Sequence, residues 1–569
     1  MDRLAGKLHL HGGAMSMEWA DGCEPIRDEK SGAEVVVLGP AAVRRDPIAR
    51  ELAGRPERPA EFLGPLHRTA SGFAFALWAP SEKRLSLGCD PLGLQSLYYR
   101  TSEGGVTFGG RLSDVSSPGQ KEKIHLATAE HFLRFLSVPP GRTLVGEVRR
   151  VLPGEWIFFP AGEGNGGALF PLQAESPAGQ EEAAVELRET LKASVRAAIG
   201  GAAAEDPPGV LLSGGIDSTA LLAILREVWE GPIVAVHASQ EGNPDRYYAR
   251  LMAERYDAEL LDIPLTARDG EDSLAWIVAG MEAPSGNASA VANCRAFAKA
   301  HERGVKRILS GLGSDEIFCG QGKHLMTPLW PWLSRLPTPL RTLASSWAPG
   351  AKKDALRRVF SADGGPAEMH REMYAFFEKE ESEHLRGGLA RFAQAIPAPW
   401  REGEEAGFPP GYSSEILQVD LNLWLRSSLT PMAGVLAAAS GIELYLPFCG
   451  PKMLDLSAAL PLSWKVKGRE GKRVLRRAVE ELIPDEIFRR PGQGFTVPMK
   501  SWLTNGLSSL ARDLLSPERV ERWSILDPQA MMRMLADHQA GKGDWSLPIW
   551  AWMTFSIWYE QFIDGDGGG

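Results

Sequence analysis

The chain has 569 residues, of which 44% are hydrophobic and 24% charged, and its formal net charge is −10. That length suggests about three or four domains, fewer if large α/β units are present, and the composition is ordinary for a soluble globular chain. The acidic balance argues against nucleic acid as the main partner, and the absence of an 18-residue apolar run argues against a membrane-spanning helix.

The first residues show no basic stretch followed by an apolar core, so no secretory leader is expected. The five cysteines (Cys23, Cys89, Cys294, Cys319 and Cys449) are scattered, odd in number and without a Cys-x-x-Cys pair. Reduced thiols in a cytoplasmic protein are the simplest reading. Residues 1–170 read as a β-rich domain, with strand-like runs at 34–38, 73–78, 85–89, 97–100, 105–108 and 155–159. Turn signals such as Asp90-Pro91 and Leu152-Pro153-Gly154 separate many of them. Residues 160–179, rich in Gly, Pro, Ala and Glu, read as a linker.

From Gln180 onward, long helical patterns alternate with short apolar strands, 233–237 and 307–309 among them. That alternation predicts a parallel, doubly wound sheet in a second domain over 180–563. Residues 325–365 suggest a helical excursion or lid, residues 546–559 a buried C-terminal helix, and the Gly-rich end a frayed tail.

The chain is organised around Gly209-Val210-Leu211-Leu212-Ser213-Gly214-Gly215-Ile216-Asp217-Ser218-Thr219. Val210 to Leu212 reads as a buried strand. Ser213, Gly214 and Gly215 lack bulk, so the backbone turns sharply and can approach a ligand. Asp217 and Ser218 are good caps for the helix that follows. Strand, small-residue loop and helix start together make an anion site. Asp217 would repel a phosphate unless a hard cation such as Mg²⁺ lay between them. The bland alternative is a plain strand–turn–helix. No Gly-Lys-Ser/Thr follows, so this is not a Walker A loop.

This loop resembles the Ser-Gly-Gly-x-Asp-Ser pyrophosphate loop of the ATP pyrophosphatases. The order of the other motifs is similar to that of the class B asparagine synthetases and covers nearly the whole chain. Gly72 to Trp78, Asp90-Pro91-Leu92-Gly93, Leu97-Tyr98-Tyr99, Thr143 and Leu152-Pro153-Gly154 look like their N-terminal glutamine amidotransferase half. Ser310-Gly311-Leu312-Gly313-Ser314-Asp315-Glu316, Leu446-Pro447-Phe448, Lys467-Gly468, Gly471-Lys472, Arg489-Arg490 and Gln493 to Pro498 look like the synthetase half. The resemblance implies an α/β and α+β two-domain protein. Its parts would be a degenerate amidotransferase-like β sandwich and an ATP-pyrophosphatase-like sheet with a helical C-terminal part.

The resemblance also assigns roles. Leu212, Ser213, Gly214, Gly215, Asp217 and Ser218, with Gly311 and Gly313, would bind ATP and its pyrophosphate. Asp217 and Asp315 would bind Mg²⁺, the alternative for Asp315 being a helix cap. Lys472 would stabilise charge as an amine attacks the adenylate, the alternative being one more member of a solvated basic face with Lys467, Arg469, Arg473, Arg476 and Arg477. Glu443 would serve as base, as a glutamate does in lactam-forming relatives, or else as a surface carboxylate.

The departures are informative. Asp2 stands where the family carries its glutaminase cysteine, and a carboxylate is no substitute for a thiolate nucleophile. No Asn-Gly-Glu glutamine-binding segment is found. Leu312 replaces a residue that is a glutamate in asparagine synthetases and a tyrosine in β-lactam synthetase. Gly450 and Tyr445 replace a family aspartate and arginine, which weakens aspartate as substrate.

Lost glutaminase chemistry with retained ATP chemistry is the pattern of lasso peptide cyclases and β-lactam synthetases. The expected function is therefore an ATP-dependent, AMP-forming amide ligase making a lactam or macrolactam in natural-product biosynthesis. Its partners would be a carboxylate- and amine-bearing substrate, a precursor peptide being one form of it, and biosynthetic partner proteins; neither nucleic acid nor membrane is expected. The alternatives are an ammonia-dependent asparagine synthetase-like enzyme and an idle scaffold.

Overall fold

The computed structural model describes residues 4–11, 14–39, 72–116, 123–160, 167–168, 177–200, 206–345, 351–362, 365–377, 412–490 and 497–564. Asp2, residues 493–496, most of the 160–179 linker, parts of 325–365 and the tail beyond 564 lie outside them.

The N-terminal strands form two antiparallel sheets. One has the order β2 (Ala14–Trp19), β1 (Ala5–His11), β8 (Gly105–Gly109), β7 (Tyr98–Ser102), β9 (Arg149–Arg150). The other runs β11 (Gly167–Ala168), β10 (Glu155–Phe159), β6 (Arg84–Cys89), β5 (Ala74–Ala79), β4 (Glu34–Leu38), β3 (Ile26–Arg27). Leu4, Leu8, Val106 and Phe108 from the first meet Val36, Ala74, Ala76, Trp78, Leu85 and Leu87 from the second in one core. That is the two-sheet sandwich the resemblance implies. Strands β1 and β2 and helix α1 (Leu126–Phe135) were not legible in the sequence.

The second half is built on a five-stranded parallel sheet in the order β14 (Glu259–Leu265), β13 (Val234–Gln240), β12 (Gly209–Leu211), β15 (Arg307–Leu309), β16 (Glu443–Tyr445). Helices α2 (Gln180–Ile199), α3 (Ile216–Val228), α4 (Asp245–Arg255), α5 (Ala267–Met281) and α6 (Ser289–Glu302) connect and cover these strands. From β12 the chain winds outward through β13 and β14, then returns to β15 on the other side of β12. The switch point is therefore the crevice between β12 and β15, where open α/β sheets bind ligands at the carboxyl ends of the strands.

The two halves share packing. Arg426 donates from Nε to the Pro91 carbonyl at 2.8 Å, and Thr430 donates to the Leu92 carbonyl. Gly434 in α8 (Thr430–Ala439) lies so close that a Cβ there would come 2.2 Å from the Leu94 carbonyl oxygen. Phe132 of α1 meets Trp552 edge-on at 5.5 Å in the C-terminal helix, which spans Ser546–Tyr559 and is buried along nearly its whole length. No helix among the described residues is long and apolar enough to cross a membrane.

Candidate active site

The Ser213–Ser218 loop leaves β12 and enters α3. Gly215, not Asp217 or Ser218, holds the N-cap position, and no side chain caps this helix. Both expected caps instead sit in the first turn, where a helix leaves its N–H groups unbonded. Gly214 turns the loop at φ +71, and a Cβ there would strike Tyr248 at 2.7 Å and the Ala249 nitrogen at 2.9 Å, so only glycine fits. Inside the loop the Ser213 and Ser218 hydroxyls are 3.1 Å apart, and the Gly215 N–H donates to Ser213 Oγ at 3.3 Å. Leu212 has its side chain in the core, and its carbonyl lies 2.8 Å from Nδ1 of buried His237.

Across the switch point, the loop after β15 closes against this one. A Cβ on Gly311 would fall 2.8 Å from Asp217 Cβ, and one on Gly313 (φ +89) only 2.1 Å from Cys449 Sγ. Gly311 thus lets the loop approach the Asp217 turn, and Gly313 lets it pack on Cys449. Ser314, at the head of the short helix α7 (Ser314–Ile317), donates from Oγ to Asp217 Oδ1 at 2.7 Å. Asp315 follows in the same turn, while Gly313 takes the capping position.

Lys472 joins the two loops. Its Nζ lies 2.7 and 2.5 Å from the Asp217 carboxylate oxygens and 2.6 Å from Asp315 Oδ1. It stands at φ +55, just before α9 (Arg473–Val479), a conformation that costs a non-glycine residue about 1 kcal/mol. Gly320 leaves the space it needs, since a Cβ there would overlap Lys472 Cε at 2.0 Å. Lys472 is 7% exposed, whereas Lys467, Arg469 and Arg477 face solvent. The basic cluster in the sequence therefore divides into one buried lysine and an outer face.

Burial opposes the Lys472 charge, but Asp217 and Asp315 outweigh it and hold the ammonium above the usual lysine range. Burial and the charge of Asp315 push Asp217 up. Asp315 also pays for burial, yet Lys472 brings it below its usual value. Two carboxylates converging on one cation are hard oxygen donors of the kind Mg²⁺ takes, so these residues fit the metal the resemblance implies.

Glu443 does not join them. It opens β16 level with Arg307, at the amino edge of the sheet, whereas the site lies beyond Leu309 at the carboxyl edge. Three residues of strand separate those levels, roughly 10 Å. Glu443 is engaged there by Arg307 Nε at 3.2 Å and the Tyr445 hydroxyl at 3.1 Å. A base must reach the proton it takes, so the assignment of Glu443 as base is corrected to a structural ion pair. Glu443→Gln is expected to keep amide formation within about twofold of wild type, as a substitution outside the site. Steady-state rates would show it.

Two residues that the motifs contain were given no role from the sequence. Ser314 is one. Arg490 is the other: its side chain is buried behind the Ser213–Ser218 loop, with one amino group 3.3 Å from the Ser213 carbonyl and the other 2.9 Å from Asp245 Oδ1. Its guanidinium also lies 5.1 Å over the Tyr248 ring. By holding the Ser213 carbonyl on this side, Arg490 fixes the plane of the loop. Arg490→Ala is expected to raise the KM for ATP about tenfold or more, the worth of one hydrogen bond to a charged group, with a smaller change in kcat. Arg490→Lys should recover part of that loss.

A buried polar group backs the Asp315 loop. Gln321 Nε2 donates to Glu316 at 2.7 Å, and burial with the charge of Asp315 raises the Glu316 carboxyl to about 8. His324 and His370 lie 3.0 and 2.7 Å from the Asp420 carboxylate through Nε2, and the Tyr374 hydroxyl donates to it as well. The ring and carboxylate atoms are close enough to hold a metal. However, the Gln321 N–H donates to His324 Nδ1 at 3.0 Å, which places the ring proton on Nε2, facing Asp420. The group is thus a hydrogen-bonded anchor for the loop, not a ligand set.

Residues 186–560 match the family model described as asparagine synthase, and residues 65–166 match that of a glutamine amidotransferase domain. The chain is 24% identical over 503 residues to the glutamine-hydrolyzing asparagine synthetase 1 of Bacillus subtilis (strain 168), covering 86% of this chain and 78% of that one. It is 26% identical over 526 residues to a putative glutamine-hydrolyzing asparagine synthetase of Mycobacterium tuberculosis (strain ATCC 25618 / H37Rv), covering 88% and 78%. It is also 22% identical over 516 residues to amidase chry2 of Gibberella zeae, covering 80% and 74%.

Proposed function

Because the chain belongs to the asparagine synthase family, whose enzymes are ATP-dependent ligases, we propose that it joins a carboxylate to an amine through an acyl-adenylate, releasing pyrophosphate and AMP. The observation that carries this reading is the Asp217–Lys472–Asp315 junction beside the phosphate loop. A substrate carboxylate oxygen bonds to the α-phosphorus of ATP as the bond to the β-phosphate breaks. Loop N–H groups and the hydroxyls of Ser213 and Ser218 bind the departing pyrophosphate. Mg²⁺, held by Asp217 and Asp315, would supply the positive charge that offsets it. The amine then attacks the acyl carbon, and AMP leaves with the former carboxylate oxygen. Lys472 places a fixed cation where negative charge grows on the acyl oxygen and α-phosphate.

The acceptor side favours a substrate that carries its own amine. Leu312 has no group able to move a proton, and its backbone carbonyl accepts from the Cys449 thiol at 3.4 Å. Asp2 removes the family's route to ammonia from glutamine. A lactam- or macrolactam-forming ligase acting in the cytoplasm on a peptide or other natural-product precursor, with biosynthetic partner proteins, fits these features. Holding amine and acyl carbon together is worth effective molarities of about 10⁵ M or more. The likeness to named asparagine synthetases over most of the chain supports a second reading, in which free ammonia is the amine.

Product analysis separates the two. The enzyme is incubated with ATP, Mg²⁺ and aspartate, with ammonium or glutamine, and in parallel with peptides bearing both amine and carboxylate. AMP and a dehydrated cyclic product from a peptide, with no asparagine from either donor, support the lactam reading. Asparagine from ammonium overturns it.

A further inference from the structure

The excursion after the Asp315 loop carries an apolar face that its own packing does not use. Its inner side is satisfied: Trp330, Val359, Phe360, Ala362 and Met369 form a small separate core, with Leu333 and Leu356 against it. Arg341 is also turned inward, donating to the Ala362 carbonyl at 2.8 Å. Yet Leu329, Trp332, Leu336, Leu340 and Leu343 are between 46% and 70% exposed. They recur at steps of three and four residues, the spacing of one helical face, through the helices Trp330–Leu333 and Thr338–Ser345. Half of the large exposed hydrophobics among the described residues fall in this short stretch. Such a concentration marks an interaction surface.

The charge pattern narrows the occupant. From residue 322 to 360 the sequence has seven lysines and arginines against one acid, Asp354, in a chain whose net charge is −10; Arg341 and Lys323 are turned inward, so the charge of this face rests on its exposed arginines. Arg335 and Arg357 are exposed, and the Arg335 guanidinium lies 5.2 Å over the ring of Trp332. The partner should therefore be anionic. It should also be soft and flat, because side chains this exposed protrude into solvent. Two copies of the basic face would repel each other. Apolar residues headed by tryptophan, flanked by arginines with their charge at the water side, are the pattern of a helix lying in a bilayer interface. Anionic headgroups attract the basic residues.

We propose that residues 329–343 form a peripheral anchor that docks the enzyme on an anionic membrane surface. The chain would lie on that surface without crossing it. Docking would hold the Asp315 loop close to the bilayer, since the helical turns Gly322–Leu329 connect the two. The inference stands apart from the reaction assigned above.

The test is co-sedimentation of the full chain with vesicles of phosphatidylcholine, alone or with about a third phosphatidylglycerol, at low and high salt. The wild type is expected to pellet with the anionic vesicles, less so at high salt, and to stay in solution with the neutral ones. W332E/L340E should weaken this binding about tenfold or more. R335E/R357E, which keeps every apolar side chain of the face, should lose the preference for anionic vesicles. Wild type that never pellets, or a W332E/L340E variant that pellets equally, overturns the anchor. Self-association or binding of an acidic amphipathic peptide, without vesicle binding and abolished by the same substitutions, assigns the face to a protein partner and overturns it too.

Discussion

Asp217→Asn will reduce ATP-dependent pyrophosphate release by about 10³-fold, and Asp315→Asn will do the same. The estimate takes the upper end of what removing one stabilising group from a preorganised site costs. Asp217 is nearly isosteric with asparagine, so the fold should persist, but the substitution removes a negative charge from the point on which the metal position depends. It also turns an amide N–H toward Lys472 or Ser314, both of which now donate to the carboxylate. Asp315 is more open to solvent, and its loss would leave a single carboxylate for the cation. Circular dichroism would confirm folding, and pyrophosphate release would be followed directly. Release within a few-fold of wild type in either variant would show that these carboxylates do not hold the metal.

Lys472→Ala will spare nucleotide binding and lower amide formation by about 10²–10³-fold, the range for loss of one preorganised charge partner. The ammonium links two carboxylates from loops separated by 97 residues of chain, so its truncation also leaves Asp217 and Asp315 facing each other unbridged. Some loss of thermal stability should accompany the rate effect. Lys472→Arg would keep the charge without restoring activity, because the space beside Gly320 is already filled by the lysine. Binding of a fluorescent ATP analogue and product yield would be measured together. Unchanged yield in Lys472→Ala would remove the lysine from the reaction.

What was legible in the sequence was local. Apolar alternation located the strands at 34–38 and 155–159 to the residue, and the glycines and serines of 213–218 announced a tight loop entering a helix. Strand β1 was overlooked although Lys7-Leu8-His9-Leu10-His11 alternates strictly, and β16 was missed because three residues carry too little pattern. Glu443 misled for a topological reason. It lies three residues from Leu446, but strand direction carries it to the far edge of the sheet. Ser314 and Arg490 lie in motifs the sequence displayed, but their roles were hidden because their partners are 97 and 277 residues away along the chain. The division of the basic cluster between buried Lys472 and an outer face needed the position of Gly320, which only the folded chain supplies.

The central claim is that the junction of Asp217, Lys472 and Asp315 serves an acyl-adenylate. The most direct measurement uses ¹⁸O in the carboxylate of whichever substrate supports turnover, followed by mass analysis of the nucleotide. The account predicts one ¹⁸O atom in AMP, transferred when the amine displaces it. Label in inorganic phosphate, with ADP as the nucleotide product, would mean an acyl phosphate instead and would contradict the account.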